Sequence, residues 1–315
     1  MISPLRRLIA IEKARLIAGL FNCLVGGLTV SLMADEAVAA ATPLSSADQA
    51  CEQLGARLQS IQVADCKRLQ LIAGAGASRE GRPMLYRDFP PSRRPHRPSR
   101  VLLIGGIHGD ELSAVSIVFQ WMRKLEQERL QPFYWRVIPS ANPDGLFAEP
   151  ASRVNRGGVD LNRNFPSADW DRRALAYWRA KTQADPRRYP GKAALSEPET
   201  RWLAEQIGEF KPDAIVSVHA PYGVLDYDGP PDPPQRFGYL RLHPLGTYPG
   251  SLGNYAGIDL GLPVITLELP HAGAMPTPAQ SQRIWSDMIG WLQQNLPTGE
   301  PPLYRQPDDS LWLNR

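Results

Sequence analysis

An imidazole and a carboxylate stand three residues apart in Gly105-Gly106-Ile107-His108-Gly109-Asp110-Glu111, between the apolar run 101–104 and a helical pattern that begins near Glu111. On the first turn of a helix, two such side chains face the same way and can chelate one divalent metal. A catalytic zinc takes three protein ligands and keeps one position for water, so a third ligand must come from elsewhere in the chain. His219 is the best candidate: it ends the apolar run 214–218, much as His108 lies just past the end of its own run. A third run, 263–267, ends at Glu268. Residues at the carboxyl ends of strands in an open α/β sheet converge on the crevice where ligands bind. One inferred site therefore collects His108, Glu111, His219 and Glu268, a set suited to metal-assisted hydrolysis.

The elements that would carry these residues alternate along the chain. A strand at 101–106 leads into a helix from Glu111 to about Leu130, with Leu112, Val115, Val118, Phe119, Met122 and Leu125 as its buried stripe. A strand at 135–139 is followed by a long loop. Ser196-Glu197-Pro198-Glu199 then predicts a helix start with a serine cap and a capping-box glutamate, continuing through Trp202, Ile207 and Phe210. After the strand ending at His219 comes a second long loop, 220–258, rich in Pro and Gly. A strand at 263–267 and a helix from Pro278 to about Leu296 complete the pattern. This is an α/β chain, and long loops in a compact domain are usually functional. Upstream, 45–71 predicts one or two short helices capped by Ser45 or Ser46, and 69–75 and 83–89 predict two strands joined at Arg79-Glu80-Gly81. The proline-rich stretch 90–100 cannot form regular structure and reads as a solvated connector, with His96 an exposed polar residue.

At 315 residues and 43% hydrophobic content the chain can bury a large core, and a net charge of +3 without a basic block gives no case for a nucleic-acid partner. Arg6, Arg7, Lys13 and Arg15 lead into a largely apolar segment at 16–33, and Ala37-Val38-Ala39 offers a signal peptidase site. The expectation is an exported protein, periplasmic or secreted, with no stable membrane insertion after cleavage. The alternative is anchoring by an uncleaved segment, about long enough to span a bilayer, though Asn22 and several glycines weaken it. Cys23 disappears with the signal. Cys51 and Cys66 are then an even pair in an oxidising compartment, and a disulfide closing that short loop would contribute about 3 kcal/mol. Two unpaired thiols on helix faces are the alternative.

The first long loop contains Arg153-Val154-Asn155-Arg156-Gly157-Gly158-Val159-Asp160-Leu161-Asn162-Arg163-Asn164-Phe165-Pro166. Arginine forks recognise carboxylates bidentately, which near a metal suits a substrate with a free carboxylate and a carbonyl to polarise. Asp160 is either an exposed loop carboxylate or the acceptor that fixes a ligand histidine's tautomer.

Taken in order, Gly-Gly-Ile-His-Gly-Asp-Glu, Asn142-Pro143-Asp144-Gly145, Gly-Val-Asp-Leu-Asn-Arg-Asn-Phe-Pro, Ser217-Val218-His219 and Thr266-Leu267-Glu268 resemble the zinc metallocarboxypeptidase family over about residues 70–295. Within it the chain is most similar to the bacterial murein peptide amidases, through His108–Glu111 and the stretch 219–230. The resemblance implies a mixed, mainly parallel twisted central sheet with helices on both faces. It implies a single catalytic domain at 69–298, preceded by a signal peptide at 1–41 and a helical appendage at 42–68 and followed by a tail at 299–315. It also implies one zinc on His108, Glu111 and His219, with Glu268 as general base and acid and Arg153 as carbonyl polariser. Asn162 and Arg163 become carboxylate binders, and Asp160 stands behind His108. Arg156 competes with Arg153, but the family's Arg-x-Asn pattern favours Arg153. The family's mobile tyrosine precedes a Gly-Ser pair, here Gly250-Ser251; Tyr248 lies closer to that pair and receives no role. His243 and His271 read as pocket-wall or surface residues.

The implied substrate is a small peptide, murein-derived and cut between γ-D-glutamate and diaminopimelate. Three other readings use overlapping parts: a carboxypeptidase acting on ordinary L-peptides, an N-acyl amino acid deacylase, and a non-catalytic zinc-bearing cell-wall binding module. The last would lack a general base, and Glu268 is present.

Overall fold

Residues 46–92 and 97–296 are described by the structure, a computed structural model. The expected signal segment at 1–41 with Cys23, the possible cap Ser45, His96 in the connector and the tail at 299–315 lie outside the described residues.

Two short helices open the described chain, α1 (Ser46–Arg57) and α2 (Val63–Arg68). The disulfide between Cys51 and Cys66 joins them, and Ala50, Leu54, Leu58 and Ile61 enter the main apolar core. The antiparallel pair β1 (Ile72–Ala77) and β2 (Pro83–Phe89) follows, turning at 78–82 as expected. Next come β3 (Arg100–Gly105), α3 (Leu112–Gln127) and β4 (Tyr134–Ile138). The remaining elements are α4 (Pro143–Phe147), α5 (Trp170–Lys181), α6 (Pro198–Phe210), β5 (Ala214–His219), β6 (Val224–Asp228), β7 (Arg236–Phe237), β8 (Leu240–Leu242), β9 (Val264–Glu268) and α7 (Pro278–Asn295).

The strands form one mixed sheet in the order β1-β2-β4-β3-β5-β9-β6-β8-β7. Its centre, β4-β3-β5-β9, is parallel, and both flanks join it antiparallel, through β2 on β4 and β6 on β9. The central strands read as unbroken apolar runs because both faces are covered. Val101, Leu103, Val216, Val218, Ile265 and Leu267 pack into the layer that holds α1, α2, α3 and α7. Their alternating neighbours Leu102, Ile104, Ile215 and Val264 pack with Trp202, Leu203, Ile207 and Phe210 of α6. Register then places the ends: Gly105 lies beside Val218, and His219 beside Glu268.

Three local expectations are corrected. α6 has no serine cap with a capping-box glutamate. Its N-cap is Glu197 with no side-chain cap bond, because the Ser196 hydroxyl turns to Glu197 Oε1 and Glu199 is drawn away to the Arg79 backbone N–H and to Asn155. The first long loop contains α5, which buries only Trp170 and Ala174 and so shows no apolar stripe. The stretch 220–258 contains β6, β7 and β8, whose short polar sequences between prolines and glycines carry no strand signal. α7, by contrast, starts on a full capping box between Thr277 and Gln280, with Pro278 in its first turn.

Candidate active site and metal centre

His108 and Glu111 lie in the tight turn between β3 and α3, where the Glu111 N–H donates to the His108 carbonyl, so the turn and not a helical face sets their spacing. The chain can take this turn because Gly106 adopts φ +62°. Gly109 passes so close to the backbone of Gly145 and Leu146 that a side chain there would collide with it. His108 Nδ1 is 2.7 Å from Glu111 Oε1, and His219 Nδ1 is 3.0 Å from Glu111 Oε2 and 3.2 Å from His108 Nδ1. All three residues are buried, and one ligand atom from each lies within 4.8 Å of the others.

The outer ring nitrogens are held separately. His108 Nε2 is 3.1 Å from Asp160 Oδ1, and His219 Nε2 is 2.9 Å from the Ser217 hydroxyl. A proton at each Nε2 satisfies those contacts and leaves both Nδ1 lone pairs facing a carboxylate. That is a buried set of acceptors without a donor, which a cation satisfies, and two imidazoles with one glutamate form a donor set of catalytic zinc sites. The residues therefore fit the metal. Asp160 is fully buried and also accepts from Arg153 Nε and Nη2 at 3.1 and 3.0 Å. Burial alone would raise its pKa, but Arg153 and His108 hold it well below the usual carboxylate range. The exposed-loop alternative for Asp160 is thus excluded.

Glu268, at the end of β9, is 6% exposed, and its Oε2 has no hydrogen-bond partner among the described residues. Burial pushes its pKa up, with Glu111 adding to the rise and His219 opposing it, while the Tyr222 N–H also donates to the carboxylate. Arg153 spends Nε and Nη2 on Asp160 and keeps Nη1 toward the centre, 3.6 Å from Glu111 Oε1. Arg156 instead pairs with Glu80 at 3.0 Å and is largely exposed. Asn162 Oδ1 accepts from the Leu252 N–H at 2.8 Å, which leaves its amide N–H groups for the cavity that it lines. Arg163 has no carboxylate in ion-pair contact among the described residues; its guanidinium lies 4.3 Å above the Tyr248 ring and is pushed below its ordinary pKa by burial. The Tyr248 hydroxyl is committed to the Leu245 carbonyl at 2.9 Å. His243 and His271 are exposed and stand outside the cluster of ligands.

The His108–Glu111–His219 trio, Glu268, Arg153, Asn162, Arg163 and Tyr248 line a cavity of about 190 Å³, small against the ~300–1,000 Å³ of drug-sized sites and suited to one amino acid. Sequence reasoning gave no role to Ser217, Arg188, Asp226 and Asp228, which also line it. Ser217 was legible, since it lies two residues before His219 on the same strand face. The other three arrive on segments read as loop. A larger groove of about 320 Å³ between α2, α3 and α7 has no comparable chemistry, because its Arg68 and Arg123 are both paired to Asp65.

Fold and site together define a zinc metallopeptidase. The zinc carboxypeptidase family model matches residues 57–230, and the chain belongs to that family. Murein peptide amidase A of Escherichia coli (strain K12) is 32% identical over 202 residues, covering 62% of this chain and 79% of that protein. The protein of the same name from Vibrio campbellii is 32% identical over 206 residues, covering 63% and 79%. Among solved structures, carboxypeptidase A from Helicoverpa armigera shares the fold, with a TM-score of 0.56 at 19% identity over 76% of this chain and 71% of its own.

Proposed function

We propose that the chain is an exported murein peptide amidase that hydrolyses the amide between γ-D-glutamate and diaminopimelate, with one zinc per chain on His108, Glu111 and His219. The observation that carries the substrate reading is the cavity lining, which combines Arg163 and Arg188 with Asp226 and Asp228. Asp228 has no hydrogen-bond or ion-pair partner among the described residues, and burial, with Asp226 adding to it, pushes its pKa up to about 7. Asp226 already accepts the Tyr227 and Leu245 N–H groups, so an apolar leaving residue would keep Asp228 unpaired at a cost. Diaminopimelate carries carboxylates at both ends and a distal ammonium, so it offers partners to both signs of charge. Export is supported by the basic and apolar pattern of 1–41 and by the Cys51–Cys66 disulfide, a bond that persists in oxidising compartments.

Bound there, zinc would supply a Lewis acid that polarises the scissile carbonyl and acidifies water. Glu268 Oε2 takes the water's proton and returns it to the leaving amine, and burial, by raising its pKa, makes it a better proton acceptor. Arg153 Nη1 donates to the oxygen that gains charge. Arg163, with the Asn162 amide beside it, grips the leaving residue's free carboxylate.

Digestion of murein tripeptide beside ordinary L-peptides tests the reading. Release of diaminopimelate in preference to any C-terminal L-residue is the expected result. Trimming of the L-peptides with the tripeptide left intact would replace the proposal by an ordinary carboxypeptidase.

A further inference from the structure

The loop that delivers Arg153 and Asp160 has no regular structure between 148 and 160, yet both side chains sit within 4 Å of metal-facing groups. What holds it is a polar knot beneath the site, built on Asn155, which is 4% exposed. Its Oδ1 accepts from the backbone N–H groups of Gly157 and Val159 at 2.9 and 3.1 Å. Its amide donates to Glu197 Oε2 at 2.8 Å and to Glu199 Oε2 at 2.9 Å. The same two carboxylates grip the β1–β2 turn, since Glu199 Oε1 accepts the Arg79 N–H and Glu197 Oε2 accepts Arg79 Nε and Nη2. Gly157 has to be small here, because a Cβ would lie 2.6 Å from Glu197 Oε2.

The residues further along are anchored differently. Asn162 is held by the Leu252 N–H, the Arg163 carbonyl accepts from Trp170 Nε1 at 2.9 Å, and the Phe165 N–H reaches the Gly250 carbonyl. One loop thus has two moorings, which touch where the Glu197 N–H donates to Asn164 Oδ1 and where Asp160 Oδ1 accepts the Asn162 N–H. The knot serves Arg153 and Asp160, and the contacts at 162–165 serve the carboxylate-binding pair.

We propose that Asn155, clasped by Glu197 and Glu199, is a positioning residue for Arg153 and Asp160, and that it governs turnover without governing capture of the substrate's carboxylate. This rests on the hydrolase reading above. Displacing a catalytic donor by about 1 Å can cost on the order of 100-fold in rate. Asn155→Ala therefore lowers kcat by about 10- to 100-fold while KM stays within about twofold. In an Arg153→Ala background the same substitution adds clearly less than it costs alone, since one of the two groups it positions is already gone. Glu199→Gln is the milder variant: an amide there must turn an N–H₂ toward Asn155 or toward the Arg79 N–H, and kcat falls by several-fold.

The test combines kinetics on murein tripeptide with amide hydrogen exchange of the zinc-loaded protein. Faster exchange centred on 153–160, with a smaller change at 162–165 and the central strands as protected as in wild type, is expected in both variants. Exchange is read with or without turnover, so failure of the substrate assignment leaves it intact. Unchanged exchange at 153–160, a raised KM with unchanged kcat, or a full additional loss in the Arg153→Ala background would each overturn the proposal.

Discussion

Strand ends and loop deliver catalytic groups to the same cavity by different physics. His219 and Glu268 are placed by parallel register, side by side at the ends of β5 and β9, in strands whose apolar residues are almost wholly buried on both faces. Arg153, Asp160, Asn162 and Arg163 come from a loop held by side-chain hydrogen bonds to glutamates, backbone amides and a tryptophan. Backbone ladders tolerate the loss of one side chain at a strand end, whereas a buried polar knot left half satisfied costs the desolvation of each orphaned partner. Substitutions on the strand side should therefore remove chemistry and spare the fold. Those on the loop side should move geometry as well.

The largest break in that comparison is Glu268→Gln, which deletes the proton carrier and no metal ligand. Turnover should fall by about 1,000-fold or more, with zinc content and Tm unchanged in paired kinetic and calorimetric runs. A comparable loss of Tm would mean that Glu268 is structural. Next is the disulfide, which closes a loop of 15 residues and holds α1, whose Arg57 donates to the carbonyls of Leu146 and Ala148 just ahead of the catalytic loop. Cys51→Ser with Cys66→Ser should cost about 3 kcal/mol in denaturant unfolding, and an unchanged midpoint would show that the hairpin holds without it.

Arg153→Lys keeps the charge but loses the fork on Asp160. A drop in kcat of about 100-fold is expected, with Arg163→Lys acting on KM instead; the reverse split would exchange their roles. The smallest effect concerns Asp228. Its folded pKa of about 7 lies above the ordinary aspartate value of 3.8, so between those pH values the folded state binds more protons than the unfolded one, and stability declines as pH rises through that window. Asp228→Asn should thus raise Tm by roughly 2–4 °C at pH 8, about 1 kcal/mol, and by nothing near pH 4. It should also weaken selection for a cationic leaving residue. Equal Tm gains at both pH values would contradict the shift.

Much of the strand-borne half was legible in the sequence, because an apolar run ending in His or Glu states both the element and its functional end. His108, His219 and Glu268 needed only the rule that strand ends converge. The loop-borne half was legible as motif but not as geometry: Arg153 and Arg156 look alike in the chain, and only the Asp160 fork and the Glu80 pair separate them. Asp226 and Asp228 lay inside the stretch 219–230 that carried the resemblance, but their place in the cavity was hidden because β6 is short, polar and paired to β9 across a long separation. Glu199 resembled a capping-box residue, yet a tertiary partner, Asn155, outcompeted the local cap.

The central claim is that two imidazoles and Glu111 form a zinc site whose general base is a separate residue. Metal analysis of purified wild type, His219→Ala and Glu268→Gln tests it most directly. One zinc per chain is predicted for wild type and for Glu268→Gln, with little retained by His219→Ala. Full occupancy in His219→Ala, or loss of zinc in Glu268→Gln, would contradict the account.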